Sequence, residues 1–173
     1  KKLSDAIGLP NITVSQSTVF CTTIEDKNGG RLDIASENYP YLQCDAEPLG
    51  GYELNIATVR PVNGFSNFLT RKLYTYNAAN GSVSFLGALL GHKKIADAAH
   101  DERILEILEG VYVETATALS KKHSFPFDEQ MAFTRTSKAK LQDYTIVDFI
   151  ERNARDPIRK LGPDDRLVGS ARL

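Results

Sequence analysis

The chain has 173 residues, of which 42% are hydrophobic and 25% charged, and its formal net charge is −1. This length can bury a sizeable core, and the composition is ordinary for a globular protein. The near-neutral charge gives no electrostatic reason to expect nucleic acid or an anionic membrane as a partner. No apolar run approaches the ~20 residues of a membrane-spanning helix. We expect a cytoplasmic protein whose cysteines, Cys21 and Cys44, stay reduced.

The chain from about residue 11 to residue 55 is predicted to form short β-strands. Thr18–Ile24 is rich in β-branched and aromatic residues. Asn28-Gly29-Gly30 is a hairpin signal before the alternating run Arg31–Ile34, and Tyr41–Cys44 is a third candidate strand. Two or three short strands make a poor fold alone. We expect them to extend the sheet of another domain or to pack beside helices.

Helical periodicity dominates the rest of the chain. The predicted helices cover residues 62–79, 82–90, 93–121, 128–141 and 144–153, the last with Ile146, Val147, Phe149 and Ile150 inward. Pro163-Asp164-Asp165 is a helix-start signal close to Leu173, and the chain begins without methionine, so we expect a piece of a larger protein. The fold class predicted is α+β and predominantly α-helical, with a β region at residues 1–55 and a truncated helical domain at 56–173.

A lysine falls on the apolar side of the first predicted helix. With Lys72 at 0°, the apolar residues at positions 65, 68, 69, 73 and 76 fall between about −40° and +100°. Arg71 and Thr75 fall opposite, while Asn80 and Asn77 fall near about +80° and +140°. Burial lowers the pKa of a lysine toward the range of a general base. Two interpretations stay open: Lys72 is a base with amide neighbours, or its ammonium extends into water.

Residues 152–160 form a second cluster, with Arg152, Arg155, Arg159 and Lys160 around a predicted end of a helix. Guanidinium groups suit phosphate or carboxylate oxygens. The alternative is a solvated helix end, where cations favour the C-terminal dipole and Asp156 is a counter-ion. If the cluster faces Lys72, a sugar phosphate or a sugar acid is the natural ligand.

Other chemistry finds little support in the sequence. There is no Gly-rich dinucleotide loop, and Gly29-Gly30 and Gly50-Gly51 read as turn doublets. His92, His100 and His123 are scattered and lie apart from the cysteines, so we expect no metal site.

Several segments, taken in order, resemble the C-terminal half of the mannitol-1-phosphate dehydrogenases, in the polyol-specific long-chain dehydrogenase group. These segments are Arg71–Asn77, Leu86–His92, Asp97–Ile104, Arg155–Leu161 and Asp165–Leu167. The resemblance implies a two-domain enzyme, with an N-terminal Rossmann domain that binds NAD and a helical substrate domain.

The family pattern is a lysine, four residues, an asparagine, two residues and a histidine. On that pattern Lys72 is the general base, and Asn77 holds the substrate oxygen as it becomes a carbonyl. Asn80 stands where the pattern has histidine. Asparagine can donate a hydrogen bond to the same oxygen but cannot share a proton at neutral pH. The resemblance therefore makes Lys72, Asn77 and Asn80 the candidate catalytic residues.

Arg155, Arg159 and Lys160 are the candidates for binding the phosphate or distal hydroxyls of the substrate. The resemblance predicts an NAD-dependent oxidoreductase that interconverts mannitol 1-phosphate and fructose 6-phosphate. We expect a monomer whose partner is this small molecule, and we expect this chain alone to be inactive because it lacks the NAD-binding domain. One alternative is a fructuronate or tagaturonate reductase, with the substrate carboxylate at residues 155–160. The other is a helical ligand-binding or interaction domain without catalysis.

Overall fold

The computed structural model describes residue 8, residues 13–26 and residues 28–173. The chain divides into two compact units, of which the first ends at Leu69 and the second spans Thr70–Leu173. Parts of the predicted β region, residues 1–7, 9–12 and 27, lie outside the described residues.

The first unit contains five short strands. They are β1 (Ser17–Thr18), β2 (Thr23–Glu25), β3 (Ile34–Ser36), β4 (Leu42–Asp45) and β5 (Val59–Val62). Strand β4 lies between β1, with which it pairs antiparallel, and β5, with which it pairs parallel. Strands β2 and β3 form the expected antiparallel hairpin, but β3 begins only at Ile34, so most of the run Arg31–Ile34 is not strand. The strand expected over Thr18–Ile24 is divided between β1 and β2. Strand β5 was not predicted, because its Val-Arg-Pro-Val sequence contains a proline and lacks a clear strand pattern.

Aromatic rings form the apolar contacts of the first unit. The ring centroid of Phe20 lies 6.0 Å from that of Tyr39 and 5.7 Å from that of Phe68. Tyr39 meets Tyr41 edge-on at 5.7 Å, and Phe68 stacks on Phe65 at 6.0 Å. Large rings supply this unit with buried area that strands of two to four residues cannot provide by aliphatic packing alone.

The second unit is helical, and helix α1 (Phe65–Lys72) leads into it. A π-helical segment (Leu73–Asn77) follows, and then come α2 (Ala78–Leu89), α3 (Ile95–Ala98), α4 (Glu102–His123), α5 (Phe127–Gln142), α6 (Ile150–Asn153), α7 (Pro157–Lys160) and α8 (Val168–Ala171). The predominantly helical α+β fold is confirmed. The predicted break between residues 79 and 82 is wrong, because the helical chain continues through Gly81 to Leu89.

The predicted helix at residues 93–121 is two helices, because Asp101 starts a new one. Its carboxylate accepts a hydrogen bond from the main-chain N–H of Arg103 at 3.1 Å, which caps α4. The same carboxylate contacts the Arg103 guanidinium and, at 2.9 Å, Nε2 of His92. Hydrogen bonds from Arg103 and then from His92 hold the pKa of Asp101 well below its usual range. This contribution to stability is present at neutral pH and is lost as the pH falls through the carboxyl range.

The core of the second unit lies between α2, α3, α4, α5 and α6. Its buried residues are Ala79, Val83, Ile95, Ala98, Ala99, Ile104, Leu108, Tyr112, Leu141 and Ile150. Of the inward set predicted for residues 144–153, only Ile150 is buried, and Val147 and Phe149 are exposed. The reason is that α6 begins only at Ile150, after Asp148 accepts the main-chain N–H of Phe149.

Within the described part of the chain, no helix has both the length and the apolar character needed to span a bilayer. Cys21 and Cys44 are both free thiols, as expected.

Gly87 lies where α2 packs closely on Ile150 and Ala98, and it gives a stability test. A Cβ atom at this position would lie 2.8 Å from Cδ1 of Ile150 and 2.9 Å from Cβ of Ala98. We expect Gly87→Ala to lower the free energy of unfolding, because overpacking costs about 1–3 kcal/mol. The higher helix propensity of alanine offsets up to about 1 kcal/mol of this loss. Gly110 is the matched control, since a Cβ there meets no atom within 4 Å. Gly110→Ala should stabilise the protein by up to about 1 kcal/mol in urea unfolding. Equal effects of the two substitutions would contradict this packing.

Candidate functional site

The helix that carries the predicted site contains a π turn. The main-chain N–H of Ala78 bonds to the carbonyl of Leu73, five residues earlier, where an α-helix would use the fourth. Lys72 is the last residue of α1 and directly precedes this turn. Asn77 is the last residue of the π turn. Asn80 lies in the first turn of α2. All three predicted catalytic residues therefore flank or belong to one local irregularity.

The π turn changes which side chains share a face. The π turn holds one residue more than an α turn. The side chains after the extra residue are therefore rotated back by about 100°, the step of one residue, relative to an unbroken α-helix. Counted from Lys72, Asn77 moves from about +140° to about +40°, and Asn80 from about +80° to about −20°. On this ideal geometry, Lys72, Asn77 and Asn80, each half-buried, fall within an arc of about 60° around the helix. An unbroken α-helix would have spread them over a much wider arc.

The predicted orientation of the helix is partly wrong. Arg71 and Thr75, expected on the solvent side, are only 8% and 1% exposed. Lys72, expected on the buried side, is half-buried. The physical reason is that the face of Arg71 and Thr75 packs against α5, which offers polar partners that an apolarity pattern does not register.

Arg71 is held on α5 by hydrogen bonds and by two rings. Its Nε donates to Oε1 of Gln130 at 2.7 Å. Its two terminal nitrogens donate to Glu129, one to the carboxylate at 2.8 Å and one to the main-chain carbonyl at 3.1 Å. The guanidinium carbon lies 4.4 Å from the ring centroid of Phe133 and 4.9 Å from that of Phe125. These contacts stabilise a buried charge by pairing it and by cation–π attraction.

Gln130 extends this network into the π turn. Its side chain is fully buried, and its Nε2 donates to Oγ1 of Thr75 at 2.8 Å. The next residue, Tyr76, meets Phe133 edge-on with 4.9 Å between ring centroids. Helix α5 therefore contacts the chain before and within the π segment.

The second predicted cluster, around α7, is tightly paired. Arg159 donates from Nε to Asp156 at 2.6 Å and from Nη1 to Asp165 at 3.1 Å. Arg155 is exposed, and its Nε donates to the carbonyl of Arg152 at 3.0 Å. The guanidinium of Arg159 therefore has two carboxylate partners, whereas Nε of Arg155 donates to a main-chain carbonyl.

Lys160 is the buried cation of this cluster. It is 8% exposed, and its Nζ donates to the carbonyl of Asn153 at 2.5 Å. Burial lowers the pKa of Lys160, and the nearby cations of Arg166 and Arg159 lower it further. A bound anion would relieve this repulsion among neighbouring cations.

Arg166, which sequence reasoning did not select, lies beside the helix of the predicted base. A Cβ atom on Gly81 would lie 3.2 Å from Cδ of Arg166, so the arginine stem rests on the backbone next to Asn80. Its Nε donates to Asp165 at 3.0 Å. Arg166, Arg159 and Leu73 line one shallow depression of about 410 Å³. The arginine-rich segment and the π segment therefore meet at this depression.

The comparison with known families identifies the class of protein. Residues 65–173 match the family described as "Mannitol dehydrogenase C-terminal domain". Because this match covers more than half of the chain, the protein belongs to that family, and the resemblance inferred from its motifs is confirmed.

The most informative relatives are all named mannitol-1-phosphate 5-dehydrogenase. The one from Thermoanaerobacter pseudethanolicus is 29% identical over 171 residues, which cover 99% of this chain and 43% of the relative. The one from Aspergillus terreus is 31% identical over 141 residues, or 81% of this chain and 36% of the relative. The one from Bacillus licheniformis is 29% identical over 170 residues, or 98% and 44%. The chain thus spans less than half the length of each relative.

The buried network on α5 gives a second stability test. We expect Arg71→Leu to lower the free energy of unfolding by about 1.5–3 kcal/mol, because Oε1 of Gln130 loses a bond to a charged donor inside the protein. Arg135→Leu, at an exposed position of α5, should change the free energy of unfolding by less than about 0.5 kcal/mol. Urea unfolding of both variants measures the difference. A loss no larger for Arg71→Leu than for Arg135→Leu would show that the buried pairing adds no stability.

Proposed function

We propose that the full-length protein is an NAD-dependent polyol-phosphate dehydrogenase that interconverts mannitol 1-phosphate and fructose 6-phosphate. The observation that carries the proposal is the π turn at Leu73–Asn77, whose ideal geometry supports a common face for Lys72, Asn77 and Asn80. The names of the matched relatives support the substrate. We propose that the protein acts as a monomer in the cytoplasm, without nucleic acid or membrane partners.

The proposed mechanism assigns the proton to Lys72. In the oxidation direction, the neutral amine of Lys72 accepts the proton of the substrate hydroxyl as the neighbouring C–H bond gives up its hydride. The side-chain amide of Asn77 donates a hydrogen bond to the oxygen as it becomes a carbonyl. Asn80 donates a second hydrogen bond to the same oxygen. Because Asn80 cannot take up a proton, Lys72 alone exchanges the proton in this mechanism.

NAD, when bound, supplies the hydride acceptor for this chemistry. The residues of this chain do not offer a dinucleotide loop: Gly50 and Gly51 have positive φ angles of 57° and 83° in the turn after residues 47–49, and no helix begins there. The loop at Gly29-Gly30 lies between the two strands of a hairpin. We therefore propose that NAD binds mainly to a part of the full-length protein that this chain does not include, and that this chain alone does not turn over.

The phosphate of the substrate is proposed to bind at the cluster of Arg155, Arg159 and Lys160. The support for this assignment is the buried cation at Lys160, which lies among further cations and has a carbonyl rather than a carboxylate as its hydrogen-bond partner. Arg159 can contribute while it stays oriented by Asp156 and Asp165. Arg155 is exposed, and its Nε donates to a main-chain carbonyl, the carbonyl of Arg152.

A substrate panel tests the proposed function. We expect the full-length protein to reduce NAD with mannitol 1-phosphate and to show at least a hundredfold lower kcat/KM, as an order of magnitude, with mannitol or hexonates. NADH absorbance measures the rate, and this chain alone is the negative control. Activity with a hexonate alone would move the function to hexuronate reduction, and inactivity with every substrate would favour a non-catalytic domain.

A substitution at Lys72 tests the proton transfer. We expect Lys72→Met in the full-length protein to lower kcat by about a hundredfold or more while the melting temperature changes little, because the base is lost and the stem is retained. Lys122→Met is the matched control, since Lys122 is exposed on α4. It should keep the activity of the parent. Retention of kcat in Lys72→Met would exclude the lysine-base mechanism.

A further inference from the structure

We propose that Gln130 is a positioning residue for the reaction. It sets the π turn through its hydrogen bonds to Arg71 and Thr75, and thereby sets the relative placement of Lys72 and Asn77. This inference rests on the proposed function for its catalytic part. Its structural part, that Gln130 holds the π turn, stands on the contacts alone.

The buried side-chain amide of Gln130 bonds to residues on both sides of the predicted base, Lys72. Oε1 of Gln130 accepts from Arg71 at 2.7 Å, and Nε2 of the same amide donates to Thr75 at 2.8 Å. These two partners bracket Lys72 in the chain. Gln130 is fully buried and Thr75 is 1% exposed, so water cannot replace either bond. The amide therefore fixes the spacing between the end of α1 and the middle of the π segment.

The helix after the turn is fixed independently. Ala79 and Val83 of α2 are completely buried in the core. If the π turn became an α turn, the chain after it would rotate by about 100° relative to the chain before it. Either Ala79 and Val83 would leave the core, or Arg71 and Thr75 would leave Gln130. Because both ends are held, the extra residue stays in the turn between them.

This constraint on the turn bears on the chemistry. With the π turn, the ideal angles place Lys72, Asn77 and Asn80 on one side of the helix. A rotation of about 100° back to an α turn would spread them apart. π turns are uncommon and occur often at functional sites. A displacement of about 1 Å between catalytic groups can cost about a hundredfold in rate. A residue that keeps the turn therefore acts on the reaction through Lys72 and Asn77 without touching the substrate.

The experiment compares two substitutions of Thr75 in the full-length protein. Thr75→Val keeps the shape of the side chain and removes the acceptor for Gln130, whereas Thr75→Ser keeps the acceptor. Ser137→Ala is the matched control for a lost buried bond on α5, since Ser137 accepts from the hydroxyl of buried Tyr112 at 2.9 Å. Single-turnover formation of NADH from mannitol 1-phosphate, kcat, KM and melting temperature are measured for each variant.

We expect Thr75→Val to slow single-turnover formation of NADH about 10- to 100-fold with KM within about threefold of the parent value. Thr75→Ser should recover most of the rate. Ser137→Ala should melt at a lower temperature without losing rate. The inference is overturned if Thr75→Val keeps the parent rate, or if Ser137→Ala loses as much rate as Thr75→Val does.

A crystal structure of full-length Thr75→Val separates this inference from the proposed function. Loss of the π turn, or rotation of Asn77 away from Lys72, supports the role of Gln130 even if the parent protein does not oxidise mannitol 1-phosphate. An unchanged turn with the parent separation of Lys72 and Asn77 overturns that role, whatever the activity.

Discussion

The candidate site depends on the pairing of one buried charge, the guanidinium of Arg71. A charge removed from water is tolerated only where its donors find acceptors, and here Gln130 and Glu129 of α5 supply them between two aromatic rings. Once Arg71 is fixed, Gln130 is fixed as well, and its second bond reaches Thr75 inside the π turn. Stability and site geometry therefore share the same few hydrogen bonds, and Lys72 lies between the two anchored residues.

Carboxylates play the matching role around the arginine-rich segment. Asp165 accepts from both Arg159 and Arg166, which orients two guanidinium groups toward one depression beside Leu73. Burial raises the pKa of Asp165, but the hydrogen bonds from Arg166 together with the charges of Arg166 and Arg159 lower it on balance, which favours the ionised carboxylate. Cations held in this way lose little conformational entropy when an anion binds. Lys160 adds a charge whose ammonium has a carbonyl as its partner.

The sequence patterns predicted the long elements well and their limits poorly. The helix at residues 128–141 and the hairpin at Asn28-Gly29-Gly30 follow from periodicity and turn chemistry, and the structure confirms both. The prediction of one continuous helix over residues 93–121 is wrong at Asp101, which caps a new helix. The apolar residues on both sides of Asp101 keep helical periodicity, so the pattern did not indicate the cap. The inward orientation of Val147 and Phe149 failed because periodicity cannot show where a helix of one turn begins.

The amino-acid sequence by itself determined the fold class, the family and the identity of the candidate residues. Each of these follows from local patterns and from motif order, which need no knowledge of distant contacts. Only the tertiary structure decided that Arg71 and Thr75 are buried, that Arg166 lies against Gly81, and that a π turn lies between Lys72 and Ala78. Such a turn has no sequence signature of its own. The turn exists because two sets of contacts fix the chain on either side of it. Contacts with α5 hold the segment before the turn and the core holds the segment after it, and one residue more than an α-helix needs lies between these two segments.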